Sequence, residues 1–169
     1  FILQGWSLVE QGAIEAGIDQ IRAGQEAFER IQQDLFRPYA LALLAQAQAR
    51  AGSLDQALST LDEALATVSH HGDGWCIAEL HRLKGELLDQ LESVRRIVKA
   101  CLEQAPACAR QQQAKSLELR AAMSLSRLWN RQGKHKQACQ LLAETYAWFT
   151  EGFDTPDLQE ARALLAELS

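Results

Sequence analysis

The sequence predicts an all-α solenoid of antiparallel helix pairs, and two observations support this. First, Ala, Leu, Gln, Glu and Arg dominate the 169 residues, whereas only 3 Pro and 10 Gly are present. Those five residue types favour helix, and so few turn-forming residues are not typical of a strand-rich chain. Second, a pattern centred on glycine recurs with a period near 40 residues, which indicates stacked helical repeats.

The recurring pattern is Gly, four residues, a small residue, and then an apolar residue or Cys. It occurs at Gly12–Ile18, Gly52–Leu58 and Gly133–Cys139, so the glycines lie 40 (52 − 12) and 81 (133 − 52) residues apart. The longer interval corresponds to two repeats whose middle glycine is missing near residues 91–94. Each glycine is expected to end one helix, and Gly52 in particular is expected to adopt the left-handed C′ conformation.

The best-defined helix pair is predicted between residues 38 and 71. Its first helix, Tyr39–Ala51, carries a buried stripe at the i, i+3, i+4, i+7 spacing, made of Leu41, Leu44, Ala45 and Gln48. In the second helix the small residue Ala57 permits close approach, as Gly17 and Ala138 do elsewhere. An isolated pair cannot bury both faces, so neighbouring pairs must stack.

Four units are predicted, 1–37, 38–71, 75–113 and 116–150, followed by a capping helix at about 155–168. The first unit begins inside its opening helix and with Phe1, which suggests a fragment of a longer chain. In the third unit Pro106 is expected to kink or interrupt the second helix.

The capping helix is expected to have Thr155 as its N-cap and Pro156 as its first helical residue. Its apolar face consists of Leu158, Ala161, Leu164, Leu165 and Leu168. Aromatic residues at helical spacing are usually interior. We therefore expect the rings just before the helix to pack beneath it as core: Tyr146, Trp148, Phe149 and Phe153.

These repeats resemble the tetratricopeptide repeat family. Residues 38–71 match its small and large signature positions best, at Leu41, Leu44, Ala45, Gly52, Ala57, Leu61 and Ala64, although Gln48 replaces the usual aromatic residue and Ser69 the usual Pro. Residues 119–152 match less fully, at Ala122, Leu125, Ser126, Trp129, Gly133, Ala138 and Leu142. The resemblance implies a right-handed superhelix and a role in protein or peptide interaction.

A narrower resemblance covers roughly residues 70 to 168. Residues 78–88, 114–122 and 148–158 look like the C-terminal repeat segment of large bacterial signalling proteins. In those proteins an adenylate/guanylate cyclase domain or a DNA-binding domain precedes an ATPase-like module and then the repeats. The sequence itself contains neither a GxxxxGK phosphate loop nor a paired-Asp cyclase metal site.

Composition argues against several partners. A net charge of −5 without clustered Lys and Arg disfavours nucleic acid. The longest uncharged stretch, 38–49, is far shorter than the ~20 apolar residues that span a bilayer. Four cysteines without a CxxC pair, in a chain too long to need disulfides, favour a reducing cytoplasm. Cys101 and Cys108 are expected to be buried free thiols on one helix.

Neither a metal nor a cofactor nor a catalytic site is predicted. His70, His71, Cys76 and His81 carry ligand atoms within 12 residues, but their spacing fits no zinc finger and a solvated loop explains them. No Ser or Cys nucleophile is accompanied by a base and an orienting group. Carboxylates on the predicted helices are expected to be solvated, including Glu10, Glu15, Asp55, Asp62, Glu63, Glu79 and Glu86.

The family resemblance implies a binding surface on the first helix of each pair, which lines the concave face. Its inner positions are Tyr39, Ala42, Gln46, Ala49 and Arg50 in the second unit; Glu79, Arg82, Glu86, Asp89 and Gln90 in the third; and Arg120, Met123, Arg127, Asn130 and Arg131 in the fourth. Arg120, Arg127 and Arg131 of the fourth unit form a basic stripe that suits carboxylates, phosphates or an acidic peptide. Alternatively, Glu86 or Asp89 on the neighbouring helix neutralises the stripe.

The sequence thus predicts a non-catalytic scaffold that binds a protein or peptide, including domains of its own parent chain, in a regulatory segment of a bacterial signalling protein. The alternative is a sensor whose groove holds an anionic metabolite or sugar. The two differ in shape, because a sensor needs an enclosed pocket of several hundred Å3 and a peptide binder needs an open groove. The sequence leaves the oligomeric state open.

Overall fold

A computed structural model describes residues 1–30, 35–71, 74–91 and 95–168, without the side chains of residues 29, 69–71, 95 and 96. Within these ranges the regular structure is helical, which confirms the predicted all-α class. The helices are α1 (Ile2–Glu10), α2 (Ile14–Arg30), α3 (Arg37–Arg50), α4 (Leu54–His71), α5 (Ile77–Gln90), α6 (Arg95–Gln111), α7 (Lys115–Arg131), α8 (His135–Tyr146) and α9 (Pro156–Leu168), with a 3₁₀ turn at Gly74–Cys76 before α5.

The helices stack in chain order as pairs, α1 with α2, α3 with α4, α5 with α6 and α7 with α8, and α9 packs on the last pair. The core accordingly runs along the array as a series of clusters between neighbouring pairs. The largest joins α3, α4 and α5, and another joins α7, α8 and α9. In the described ranges none of the helices combines the length and the apolar character of a bilayer-spanning segment.

Three glycine turns have one common geometry. Gly12, Gly52 and Gly133 have φ of +89°, +81° and +76°, in the left-handed region where glycine avoids the Cβ clash. In each turn the glycine N–H donates to the carbonyl three residues earlier, and the next N–H donates to the carbonyl five residues earlier. The predicted left-handed C′ conformation of Gly52 is confirmed.

Small residues allow the paired helices to approach closely. Ala57 and Ala138 are completely buried. At Gly17 a Cβ atom would lie 2.6 Å from the backbone oxygen of Gly5 and 2.4 Å from a methyl carbon of Val9, so α1 and α2 touch along their backbones. The expectation of close packing at these three positions is confirmed.

Pro106 was expected to kink or interrupt its helix, and the expected interruption is wrong, because α6 continues through the proline from Arg95 to Gln111. A proline inside a helix costs about 3 kcal/mol relative to Ala, since it removes one backbone hydrogen bond. Here the helix is held on both sides of the proline by side chains buried against α5 and α7, namely Leu102, Ala105 and Ala109. This packing offsets the local cost.

The region before the capping helix also differs from expectation. Pro156 is the first residue of α9, as predicted, and Phe149 and Tyr146 pack partly into the core beneath it. Trp148 and Phe153, however, are 58% and 45% exposed. Two of the four rings are therefore surface residues, and the prediction that all four form core is wrong.

The cysteine prediction needs a similar correction. The structure shows Cys101 and Cys108 as free cysteines that are only half-buried on α6, whereas Cys76 is fully buried. Partial burial of the thiols still raises the pKa of both α6 cysteines, because desolvation disfavours the thiolate.

Candidate functional site: the inner helix row

The inner helix row consists of the odd-numbered helices α1, α3, α5, α7 and α9. Each of these helices contacts the next odd-numbered one, whereas in the described parts of the chain no two even-numbered helices make comparable contact. Because the odd-numbered helices lie closer together, their row forms the concave side of the array. The predicted binding positions of the second, third and fourth units lie on α3, α5 and α7 of this row.

Ion pairs link most neighbouring helices of the row. Arg50 on α3 bonds to Glu10 on α1 at 2.8 Å. Further along, Arg131 on α7 pairs with Asp89 on α5, and Arg127 on α7 pairs with Glu160 on α9 at 2.5 Å. Arg127 and Arg131 of the predicted basic stripe are thus paired with carboxylates. Of the two neutralising residues that the alternative interpretation named, Asp89 pairs with Arg131, whereas Glu86 pairs with Arg82, which lies outside the stripe.

A buried ionic cluster lies between α5 and α7, formed by Glu79, Arg82, Glu86, Arg120 and Ser124. Arg82 donates to Glu79 from Nε and Nη2, at 2.9 and 2.8 Å, and pairs with Glu86 through Nη1 at 2.7 Å. Arg120 adds a second guanidinium on Glu79 Oε1 at 3.1 Å. Ser124 donates to Glu86 Oε1 at 2.5 Å. Every nitrogen of the Arg82 guanidinium therefore has a carboxylate partner.

The contacts within the cluster keep Glu79 and Arg82 charged despite their burial. Burial by itself raises the pKa of Glu79, but the hydrogen bonds from Arg82 and the charges of Arg82 and Arg120 outweigh that effect and lower the pKa below its usual value. Burial likewise opposes the charge of Arg82, yet its contacts with the two carboxylates raise its pKa. The expectation that Glu79 is solvated is wrong, since only 4% of it is exposed.

An open groove lies between α3 and α5. Its volume is about 260 Å3, and it is lined by Ala45, Gln46, Ala49, Arg50, Leu61, Arg82, Leu83, Glu86, Leu87 and Gln90. Its floor is aliphatic, and Gln46 lines it from α3 and Gln90 from α5. Gln46 Nε2 donates to the Ala42 carbonyl of its own helix at 3.4 Å. Among the described residues no ion pair joins α3 to α5, although such pairs join α1 to α3, α5 to α7 and α7 to α9. The groove thus occupies the junction of the row that ion pairs leave unbridged.

The structure separates the nine predicted site residues into two groups. Gln46, Arg50, Arg82 and Glu86 come together around the groove. The other five lie away from it. Arg120, Arg127 and Arg131 form ion pairs with α5 and α9. Asn130 Oδ1 lies 2.5 Å from His135 Nδ1, and the centroid of the Tyr39 ring lies 5.2 Å from that of Trp75.

Two further inner positions are not available to a ligand. Ala42 and Met123 are buried, at 0% and 3% exposure, so the family's inner positions do not all reach the surface here.

Glu118 is a second buried carboxylate, which the sequence analysis did not single out. It accepts hydrogen bonds from Arg110 Nε at 2.6 Å and from Lys115 Nζ at 2.8 Å. Lys115 and Glu118 are opposite charges three residues apart on one helix, as Glu79 and Arg82 are, and this spacing predicts an ion pair.

The ligand atoms around the 3₁₀ turn do not form a metal site in the described residues. Burial raises the pKa of the Cys76 thiol to about 11, so it is held protonated, whereas a metal ligand must be a thiolate. His81 is half-buried and burial, followed by the charge of Lys84, lowers its pKa. The side chains of His70 and His71 lie outside the described residues. In the part of the chain that is described, no three His, Cys, Asp or Glu side chains group as metal ligands would.

The stacked pairs and their concave row define a helical-repeat protein of the tetratricopeptide-like fold. Two solved structures with this fold come from Podosopora anserina: a chain of nearly identical TPR-like repeats whose name assigns it to the kinesin light chains, and a single-substitution variant of that chain. Both are 15% identical to this chain, cover 99% of it and 82% of their own length, and have TM-scores of 0.68 and 0.69. No protein-family model and no curated protein matches the sequence.

Proposed function

We propose that this chain is a non-catalytic scaffold that binds an extended protein or peptide segment in the groove between α3 and α5. The observation that carries the proposal is the unbridged α3–α5 junction within a row otherwise linked by ion pairs. A peptide backbone offers donors and acceptors, which the amides of Gln46 and Gln90 complement. The aliphatic floor accommodates an apolar side chain of the same segment.

The charge pattern argues for a segment of mixed or neutral character. Arg50 is engaged by Glu10 and its guanidinium lies 5.0 Å above the Trp6 ring, and Arg82 is neutralised by Glu79 and Glu86. A ligand whose binding depends on a free basic stripe would have to break these pairs. Affinity is therefore expected to come from hydrogen bonds and apolar contact rather than from net charge.

The dimensions of the groove favour a peptide over a metabolite. Pockets for small molecules usually enclose about 300–1,000 Å3, whereas this groove measures about 260 Å3 and is open. A depression of about 630 Å3 does exist where the C-terminal ends of α4 and α6 meet the start of α5, lined by residues that include Val68, Trp75, Ile77 and Cys108, and it is open. Neither the groove nor the depression is the enclosed pocket that the sensor alternative needs.

The wider setting of the proposal is a regulatory C-terminal segment of a multi-domain bacterial signalling protein or transcriptional regulator, in a reducing cytoplasm. The sequence resemblance over residues 70 to 168 supports it, together with four cysteines that are all free. In that setting the bound segment belongs either to another domain of the parent chain or to a separate protein.

Site-specific photo-crosslinking in the full-length parent tests this function. A photoreactive residue replaces Gln46 or Gln90 in the groove, or Gln104 on the outer helix α6 as the control. We expect both groove positions to crosslink to one common segment and the control to give none. A synthetic peptide of that segment should then bind the wild type and bind an Ala49→Leu variant, whose groove is filled, at least about tenfold more weakly. Equal crosslinking from Gln104, or unchanged binding by the filled variant, would contradict the proposal.

A further inference from the structure

A second surface lies at the C-terminal corner, formed by Trp148, Phe149, Phe153, Glu151, Asp154 and Asp157 in and beside the loop between α8 and α9. Two of its rings, those of Trp148 and Phe153, are not core. Trp148 is 58% exposed and Phe153 45%, although the chain places apolar residues at nearby core positions such as Leu158 and Leu164. Large exposed rings that cluster on one surface are typical of interaction sites rather than of ordinary surface.

The loop holds these rings in place. Trp148 packs edge-on against Phe149 with centroids 5.3 Å apart, and Phe153 lies 5.9 Å from Tyr146. The turn that contains Phe153 is closed by Thr155, whose N–H and hydroxyl both donate to the Gly152 carbonyl, at 2.9 and 2.7 Å. A surface ordered in advance loses less entropy when a partner binds.

Next to the rings is a small hollow of about 250 Å3, bounded by the start of α7 and the start of α9. It is lined by Ser116, Leu119, Phe149, Thr155, Pro156, Asp157 and Leu158. The hollow is smaller than the usual small-molecule pocket of about 300 Å3 or more. It fits a single apolar side chain inserted from a larger partner.

The charge around the hollow specifies the partner further. From Glu151 to Glu160 the sequence contains four carboxylates and no basic residue. Glu151 and Asp154 are exposed and take part in no ion pair among the described residues. Asp157 forms only a long ion pair, with its Oδ2 atom 4.0 Å from Arg120 Nε. An acidic rim around an aromatic surface is complementary to a basic partner with an apolar anchor.

The corner also shows how a cation is accommodated there. The Lys115 ammonium lies 5.6 Å from the centroid of the Trp148 ring while its charge is shared with Glu118 at 2.8 Å. The exposed part of the Trp148 ring is available to a second cation in the same way. Anionic lipid, by contrast, is repelled by Glu151 and Asp154, which take part in no ion pair among the described residues.

We propose that the C-terminal corner is a docking site for a protein segment in which an apolar or aromatic anchor stands next to Arg or Lys. The anchor enters the hollow, and the basic side chain lies between the Trp148 ring and the rim carboxylates. This site is separate from the groove between α3 and α5, so each can fail independently of the other.

Selection of displayed random peptides on the intact chain tests the proposal, with counter-selection on a Trp148→Ala/Phe153→Ala variant. We expect enriched peptides that carry an apolar anchor within a few positions of Arg or Lys. The double variant should bind them at least about tenfold more weakly. Phe36→Ala is the matched control, because Phe36 is an equally exposed ring, at 50%, on another inter-pair loop; it should leave the affinity unchanged.

A charge variant keeps the test independent of the rings. Glu151→Gln/Asp154→Asn preserves side-chain shape and should weaken the same peptides while flattening the dependence of affinity on salt. Peptides that bind the ring variant as tightly as the wild type, or that lack basic residues, would overturn the proposal. Vesicles of phosphatidylcholine with and without phosphatidylserine should not bind; binding that disappears in the ring variant would reassign the corner to lipid.

Discussion

Glu79 accepts two hydrogen bonds from Arg82, three residues later on the same helix, at 2.9 and 2.8 Å. Both residues are buried, with 4% and 7% exposure, and Arg120 from the next inner helix shares the same carboxylate. Removing one member of such a group leaves an uncompensated buried charge. Glu79 therefore holds α5 and α7 of the inner row together.

Glu79→Gln is expected to destabilise the fold by about 3 to 5 kcal/mol, because two guanidinium groups lose their shared anion. Urea unfolding followed by circular dichroism measures this loss. The matched control is Glu10→Gln, which breaks the exposed pair with Arg50 and should cost about 1 kcal/mol or less. Equal losses in the two variants would show that burial of the cluster does not matter.

The same carboxylate predicts an acid dependence of stability. The folded state lowers the pKa of Glu79, so its contribution is complete above the ordinary pKa of a glutamate and is lost as the pH falls through the lowered value. The difference in unfolding free energy between wild type and Glu79→Gln should therefore be constant near neutral pH and shrink in acid. A difference that grows as the pH falls would contradict the sign of the shift.

A charge swap tests the link between Asp89 and Arg131. Each single reversal, Asp89→Arg or Arg131→Asp, places like charges face to face, and the double reversal restores the pair. Because both side chains are partly exposed, at 35% and 57%, we expect a coupling energy of about 0.2–1 kcal/mol from the double-mutant cycle. The coupling should fall at high salt; additive losses would mean that the pair contributes nothing.

Ala57→Leu tests the contact between α3 and α4. Ala57 is completely buried in the largest core cluster, so the added carbons must displace neighbours, at a cost of about 1–3 kcal/mol. Thermal and urea unfolding measure the change. Ser59→Leu, at an exposed position of the same helix, is the control and should be close to neutral. An unchanged melting temperature in the Ala57 variant would contradict the repeat register.

Gly17→Ala tests the backbone contact between α1 and α2. Alanine is favoured over glycine by about 1 kcal/mol in an ordinary helix, yet the new Cβ would lie 2.6 Å from the Gly5 oxygen, so the variant should be less stable than wild type. Ala16→Gly, at the exposed neighbouring position, reverses the exchange and should lose stability through propensity alone. A stabilised Gly17→Ala variant would show that the two helices can separate without cost.

The inner row shows where sequence reasoning reaches its limit. The expectation that Gln46 and Arg82 share one concave side comes from the resemblance to the tetratricopeptide repeat family, in which residues at a fixed offset in each unit repeat their environment. Their assembly into one groove depends on which junctions are bridged by ion pairs, and that requires side chains from two units to be placed together. The sequence predicted a solvated Glu79. Its burial could not be predicted, because it depends on guanidinium groups from two different helices.

The C-terminal corner illustrates the same point with apolar residues. Helical spacing marks Trp148 and Phe153 as core, but the helix ends at Tyr146, so that spacing no longer applies beyond it. Trp148 lies just after that helix end and Phe153 lies in the turn closed on the Gly152 carbonyl, and both rings are exposed. Pro106 is the opposite case, because local chemistry predicts a break and tertiary packing on α5 and α7 retains the helix.

The sequence by itself determined the helical class, the position of the glycine turns and the residues at which paired helices touch, because these depend on local propensity, on φ and on the absence of a Cβ. The tertiary structure alone decided which charges are buried, which junction of the inner row stays open and which aromatic rings face solvent. Those outcomes depend on distances between units, and such distances are fixed only when the whole array packs.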